Sequence, residues 1–178
     1  MLFFFYFFVL FNFFLDIYKI LEQKDLQRCD RMLKANPQLL NTLRDSYNCS
    51  LLMTAARNGE RNLFSRLLDH PQDISITNSA GLNIFHCIAT HRNEEWWFDE
   101  VKRKINNANE LKELLDKKNR SDWTPLHCAA RSNNHRSIKW LLTNAADVNT
   151  TDNGGRFAGQ HSRCDDETKR IVGEHRNK

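Results

Sequence analysis

Two histidine–cysteine pairs are the residues best suited to chemistry in this sequence, His86-Cys87 and His127-Cys128. Imidazole nitrogen and thiolate sulfur are atoms that Zn²⁺ prefers as ligands. A cysteine beside a histidine could also serve as a nucleophile. Both pairs occur in similar surroundings, 41 residues apart. Such recurrence is more typical of a structural repeat than of a catalytic or metal site, so we predict no metal and no catalytic residue here.

The remaining cysteines support the same conclusion. The five cysteines are separated by 20, 38, 41 and 36 residues and contain no C-x-x-C pair, which fits neither a disulfide framework nor a zinc knuckle. Reduced thiols in an intracellular compartment, cytoplasm or nucleus, are the simplest interpretation. The sequence also contains no phosphate-binding, dinucleotide-binding, zinc-protease or nucleophile-elbow motif, so we predict neither an enzyme nor a cofactor.

Composition and charge narrow the class of protein further. Of the 178 residues, 40% are hydrophobic and 27% are charged, which is enough apolar surface for one folded domain. The net charge of +4 is a mild excess without a dedicated basic patch, because the longest basic cluster, residues 102–104, is typical of a solvated helix face. We therefore expect no nucleic-acid partner.

The two histidine–cysteine pairs lie in a segment of the sequence that is repeated. Ser121 to Asp152 contains T-P-L-H-C-A-A, then a Leu-Leu pair and A-D-V-N. Phe85 takes the place of Leu126 in an earlier copy 41 residues back, and Leu52 takes it a further 33 residues back. A weaker copy occupies residues 17–33.

Each copy carries the signals of a pair of packed helices. Thr124, and Asn83 and Ser50 at the matching positions, can cap a helix start, and Pro125 suits a first helical residue. The small pair at 129–130 allows close helix packing. Apolar residues in the following segment recur at i, i+3 and i+4, as expected of one buried helix face: Ile138, Leu141 and Leu142, matched by Phe64, Leu67 and Leu68.

These motifs resemble the ankyrin-repeat family. The resemblance implies an all-α solenoid of stacked helix-turn-helix units with short β-hairpin-like fingers. It covers residues 17–173, as about four repeats and a degenerate carboxy-terminal cap, with a frayed tail at 174–178. It also implies that the histidine of T-P-L-H ties the first helical turn by hydrogen bonds. In repeat five, residues 155–158 match the start of the repeat motif, and residues 167–172 resemble a short second helix.

Two departures from the pattern carry local predictions. The eight surplus residues of repeat three fall between Glu94 and Leu115, where apolar spacing predicts a lengthened second helix through Ile105, a break, and a short extra helical turn. Ala145 stands where a turn glycine is usual, and Asn144 could supply the left-handed conformation.

The resemblance implies a non-enzymatic module, an adaptor, scaffold or inhibitor, that binds another protein across its concave side as a monomer. The positions carried over by motif are the finger tips Ala80, Leu82, Asp122 and Trp123, and the residues after the small pair, Arg57, Thr90, His91, Arg92 and Arg131. Arg57 and Arg131 share one repeat position, so we predict a basic row that faces an acidic segment. One of Trp96 and Trp97 must point away from the buried face, since helix neighbours lie about 100° apart.

Residues 1–16 form a hydrophobic amino-terminal segment with eight of the twelve phenylalanines in its first fourteen positions. As a helix, residues 1–15 would span about 22 Å, which is short for a hydrocarbon core of about 30 Å. Three interpretations remain open: an anchor, a helix that caps the fold, and a stretch not native to the domain. The anchor gives an alternative function, a membrane-tethered module that displays its repeats in the cytosol.

Overall fold

The computed structural model describes residues 26–90 and 94–177. Over these residues the chain forms ten α-helices and one 3-10 turn, and it contains no strand beyond the single antiparallel bridge between Thr151 and Phe157. The helices are α1 (Leu26–Ala35), α2 (Leu39–Thr42), α3 (Leu51–Asn58), α4 (Arg61–Leu68), α5 (Ile84–Thr90), α6 (Trp96–Lys102), α7 (Ala108–Leu115), α8 (Pro125–Arg131), α9 (His135–Thr143) and α10 (Asp166–Arg176), with the 3-10 turn at Ala158–Gln160. The predicted all-α architecture is confirmed.

The chain divides into two compact units, residues 1–73 and 74–178. In the first unit α3 packs against α4, and the core includes Leu52, Phe64 and Leu67. In the second unit α5, α8 and α9 pack together. There the rings of Phe85, Phe98 and Trp140 lie in a stacked cluster with centroids 4.7–6.2 Å apart.

The helix starts follow the predicted signals. Leu52, Phe85 and Leu126 are each the second residue of their helix and are buried. Ser50 caps α3 by accepting the backbone N–H of Met53, and Pro125 is the first residue of α8. The small pairs at 55–56 and 129–130 are fully enclosed, as close helix packing requires.

A turn-forming Asp or Asn builds the finger before each repeat. In all four described fingers its side-chain Oδ1 accepts the backbone N–H groups two and four positions later, at 2.8–3.0 Å. These residues are Asp45, Asn78, Asn119 and Asp152. Three positions after each one stands a residue with positive φ, namely Asn48, Gly81, Asp122 and Gly155. Asn, Asp and Gly are the types that tolerate this backbone, so the finger shape is encoded locally.

Adjacent fingers of the second unit are joined through their backbones. The N–H of Arg120 donates to the carbonyl of Ala80 at 3.0 Å, and the N–H of Asn153 donates to the carbonyl of Ser121 at 3.4 Å. These two bonds link repeat positions that correspond to one another. The fingers of residues 78–156 therefore form a hydrogen-bonded row.

The predicted path of the insertion in repeat three was wrong in its lengths. Helix α6 ends at Lys102 instead of continuing through Ile105, and the extra segment α7 is a complete helix of eight residues. Asn107 accounts for the start of α7, because its side chain caps that helix by accepting the N–H of Glu110 at 2.7 Å. Trp97 is buried and Trp96 is half-buried, as the 100° argument predicted.

Two further expectations are corrected at chain turns. Asn144 has φ of −96°, and Ala145 itself adopts the left-handed conformation with φ of 65°. Residues 174–176, predicted to fray, continue α10, because Arg170 pairs with Glu174 at 2.6 Å and the ring of His175 hydrogen-bonds the carbonyl of Ile171 at 3.0 Å.

The predicted amino-terminal segment, residues 1–16, lies outside the described residues, as do His91 and Arg92. None of the helices within residues 26–90 and 94–177 has the length and apolar character needed to cross a bilayer.

Candidate protein-binding surface

The two repeat histidines are occupied by structural hydrogen bonds. The Nδ1 of His86 accepts the N–H of Asn83 at 3.2 Å, and its Nε2 donates to the carbonyl of Trp123 at 2.9 Å. His127 repeats this arrangement, with Nδ1 accepting from Thr124 and Nε2 donating to the carbonyl of Arg156 at 3.1 Å. Each ring therefore ties its own helix start to the next finger. Since both ring nitrogens are engaged, neither histidine offers a lone pair to a metal.

The neighbouring cysteines are equally unsuited to chemistry. Cys87 and Cys128 are buried, and burial raises the pKa of Cys128 to about 12. A nucleophilic cysteine requires the opposite shift, because the thiolate is the reactive form. In the part of the chain that the structure describes, no group of three potential metal-ligating side chains converges.

An open groove of about 670 Å³ lies beside the finger row of the second unit. Its lining includes the finger residues Ala80, Leu82, Asn119 and Trp123, the helix-end residues Thr90 and Arg131, and the cap residues His161 and Arg163. We call it the Trp123 groove. The finger and first-helix residues in this set share repeat positions, so the repeat architecture places them on one side.

Trp123 is the centre of this groove. The guanidinium carbon of Arg131 lies 5.1 Å from the centre of the Trp123 ring, and the ring of His161 meets it edge-on at 5.7 Å. Trp123 itself is only half-buried. A partly exposed indole flanked by a guanidinium and an imidazole can accept an apolar group on its face and a hydrogen-bond acceptor at its rim.

The electrostatic character of the groove is positive. Among the described residues, no carboxylate forms a salt bridge with Arg131 or Arg163. Burial, and then the positive charges of Arg131, Arg156 and Arg163, lower the pKa of His161. The depressed pKa is the expected response of an imidazole to burial and to neighbouring cations.

Arg57 occupies the same repeat position as Arg131 in the first unit, but its charge is partly compensated. Its Nη2 lies 3.3 Å from Oδ2 of Asp45, the residue that builds that finger. In repeat four the corresponding residue is Asn119, which has an amide in place of the carboxylate. The finger of repeat four therefore offers Arg131 no carboxylate equivalent to the Asp45 side chain that pairs with Arg57.

The predicted contact residues fall into three groups. Trp123 and Arg131 lie together in the groove, with Ala80, Leu82 and Thr90 also in its lining. Asp122 is exposed at the finger tip, with φ of 58°. Arg57 lies in the first unit, where its guanidinium is 5.6 Å from the centre of the exposed Tyr47 ring.

Sequence reasoning missed Asn119, His161 and Arg163 as parts of this surface. Asn119 had a detectable signal, since Asp or Asn recurs five positions before the residue that precedes the first helix of each repeat, at Ser50, Asn83, Thr124 and Phe157. His161 and Arg163 had none, because they follow a degenerate repeat and reach the groove only through tertiary packing.

A family model described as ankyrin repeats in three copies matches residues 52–152, which is more than half of the chain. No curated protein is similar enough to the chain to count as a match. The matched range contains helices α3 to α9 almost entirely, together with the Trp123 and Arg131 positions.

Proposed function

Because the chain belongs to the ankyrin-repeat family, we propose that it is an adaptor, scaffold or inhibitor that holds a partner protein on its finger tips and first-helix ends. Repeats of this family are generally non-enzymatic protein–protein interaction modules, and proteins that contain them are commonly intracellular. The contact residues are Asp122, Trp123 and Arg131, with Arg57 in the first unit and His91 and Arg92 after α5. The partner is another protein, and the chain binds it as a monomer.

The observation that carries this proposal is the Trp123 groove. A half-buried tryptophan stacked by an arginine is a typical anchor in protein interfaces, where Trp and Arg are enriched among the residues that contribute most binding energy. The core of the second unit, built on the Phe85 cluster, does not require Trp123.

The test compares partner capture by the full chain and by two variants. Native proteins recovered on the immobilised wild type are quantified against those recovered on the double variant Trp123→Ala, Arg131→Gln, and on Arg136→Gln. Arg136 is an exposed residue of α9 outside the groove. We expect a specific protein to be lost from the double variant and retained by Arg136→Gln.

Equal recovery of every captured protein on all three baits would contradict the proposal. Trp123 and Arg131 are preferred to Arg57 for this test because a change at Arg57 also removes its contact with Asp45. Reversal of Arg57 to Glu would place two carboxylates together and disturb the finger itself.

A further inference from the structure

The repeats differ in whether the finger supplies a counter-charge to the arginine after the small pair. In repeat two the finger residue is Asp45, and it forms an ion pair with Arg57 at 3.3 Å. In repeat five the finger residue Asp152 is also a carboxylate, but it pairs at 2.9 Å with Arg156 in its own finger, since Cys164 occupies the position that follows the small pair in the other repeats. In repeat four Asn119 performs the same turn-building role without a charge, since its Oδ1 accepts the N–H groups of Ser121 and Trp123 at 2.8 and 3.0 Å.

The groove therefore holds cationic side chains that the described protein leaves without a carboxylate partner. Arg131 lies on one side over the Trp123 ring, and Arg163 lines the groove from the cap. A guanidinium over an indole ring, with a second arginine in the same groove lining, forms a site that complements carboxylates close to an apolar side chain.

The shape of the site favours an extended peptide over a small anion. The groove is open and has a volume of about 670 Å³. Its lining spreads over two successive fingers, with Ala80 and Leu82 on one and Asn119 and Trp123 on the next. The lining therefore offers contacts to more than one residue of an extended segment.

From this arrangement we infer that the Trp123 groove binds an acidic segment of the partner protein, with Asp or Glu carboxylates on Arg131 and Arg163 and an adjacent apolar side chain on Trp123. The inference rests on the proposed function and assigns the chemistry of the partner at that site. Asn119 determines this specificity indirectly, because its neutral amide leaves Arg131 available.

The experiment measures binding of two fluorescein-labelled peptide pools to the purified full chain by anisotropy at 50 mM salt. One pool is rich in Asp and Glu with single Leu or Phe residues, and the other has the same sequences with Asn and Gln. We expect the wild type to bind the acidic pool about tenfold more tightly, and we expect this preference to shrink as salt screens the charges.

Three variants of equal net charge test the assignment: Arg131→Gln, Asn119→Asp and Arg136→Gln. Asn119→Asp keeps the finger acceptor that Asp45 and Asp152 provide elsewhere, and it offers Arg131 an internal partner. The acidic preference should fall at least about fivefold in Arg131→Gln and in Asn119→Asp, and it should persist in Arg136→Gln. Circular dichroism and melting temperature confirm that each variant is folded.

Several outcomes would overturn the inference and leave the proposed function standing. These are equal affinity for both pools, an acidic preference that Arg131→Gln and Asn119→Asp do not change, and displacement of the acidic pool by single-stranded RNA at lower concentration than by unlabelled acidic peptide. If neither pool binds while a native protein is still captured in a Trp123-dependent way, the acidic assignment alone is wrong. If that capture also fails, the proposed function is wrong.

Discussion

His86 is fully enclosed in the second unit, and burial favours the neutral form of its ring. Burial lowers the pKa of His86 from 6.5 to about 4. Burial also lowers the pKa of His127. The unfolded chain therefore takes up protons at a higher pH than the folded chain.

We predict a loss of stability below about pH 6.5. Between the unfolded and folded pKa values the unfolded state binds a proton that the folded state does not, so the free energy of unfolding falls as pH falls and is fully present above 6.5. His86 alone contributes a decline of up to about 1.4 kcal/mol per pH unit, about 3 kcal/mol by pH 4.

Urea denaturation at pH 7, 6, 5 and 4.5 measures this decline, with His86→Gln as the control. The variant should be less stable at pH 7, because it loses a buried hydrogen bond, but its stability should depend less on pH. Parallel pH profiles for wild type and variant would contradict the assignment.

Ala145 carries backbone strain at the end of α9. Its φ of 65° lies in the left-handed region, which is unfavourable for a residue with a Cβ by about 1–2 kcal/mol. We predict that Ala145→Gly raises the free energy of unfolding by about 0.5–1 kcal/mol after the greater flexibility of glycine in the unfolded chain is deducted. The comparison is Asn144→Gly, which has φ of −96° and should be destabilising. A lower urea midpoint for Ala145→Gly would show that the left-handed turn is not strained.

At the scale of elements, the fingers of the second unit depend on close backbone contact. Gly81 has φ of 78°, and a Cβ there would lie 3.2 Å from the backbone N of Arg120 and from the Cα of Asn119. Gly155 has φ of 72° at the same repeat position, with open space around its Cβ direction. Both glycines thus require a left-handed backbone, but only Gly81 has backbone atoms of the next finger close to the position of a Cβ.

We predict that Gly81→Ala destabilises the protein more than Gly155→Ala. Both variants should lose about 1 kcal/mol or more from the left-handed backbone, and Gly81→Ala should lose additional stability as the next finger is displaced. Equilibrium urea denaturation of both variants measures the difference. Equal losses would mean that the finger row adapts without cost.

Local signals account for the parts of the fold that were predictable. Thr124 and Pro125 mark a helix start by their own chemistry, and the apolar spacing around Leu141 marks a buried face. The start of α7 depended on Asn107 acting as a helix cap, which one asparagine among several does not reveal. The positive charge of the groove was not predictable from the sequence. The neutral side chain of Asn119 becomes significant only when the structure shows that Asp45, at the same repeat position, pairs with Arg57.

At the scale of the whole molecule, the proposed binding positions fall in separate units, with Arg57 in residues 1–73 and Trp123 and Arg131 in residues 74–178. A basic row shared by Arg57 and Arg131 stays a prediction. The acidic-segment inference concerns only the second unit and does not depend on it.

The membrane-tethered alternative makes a separate prediction about residues 1–15. If they insert, the expressed full chain stays in the pellet after alkaline carbonate extraction, and deletion of residues 1–16 releases it to the supernatant. Release of both forms would remove the alternative. The binding variants at Trp123 serve as a control, since they should leave this partitioning unchanged.

The hydrogen bonds that the repeat histidines donate through Nε2 both reach residues nearer the carboxy terminus. His86 donates to a carbonyl 37 residues further along the chain, and His127 donates to one 29 residues further along. During synthesis on the ribosome, the imidazole of His127 therefore has no acceptor until Arg156 has left the exit tunnel. The hydrogen bonding of repeat four is thus completed only when residues 152–156 are available, and a chain that ended near residue 150 would lack this bond and be an early target for chaperones and proteases.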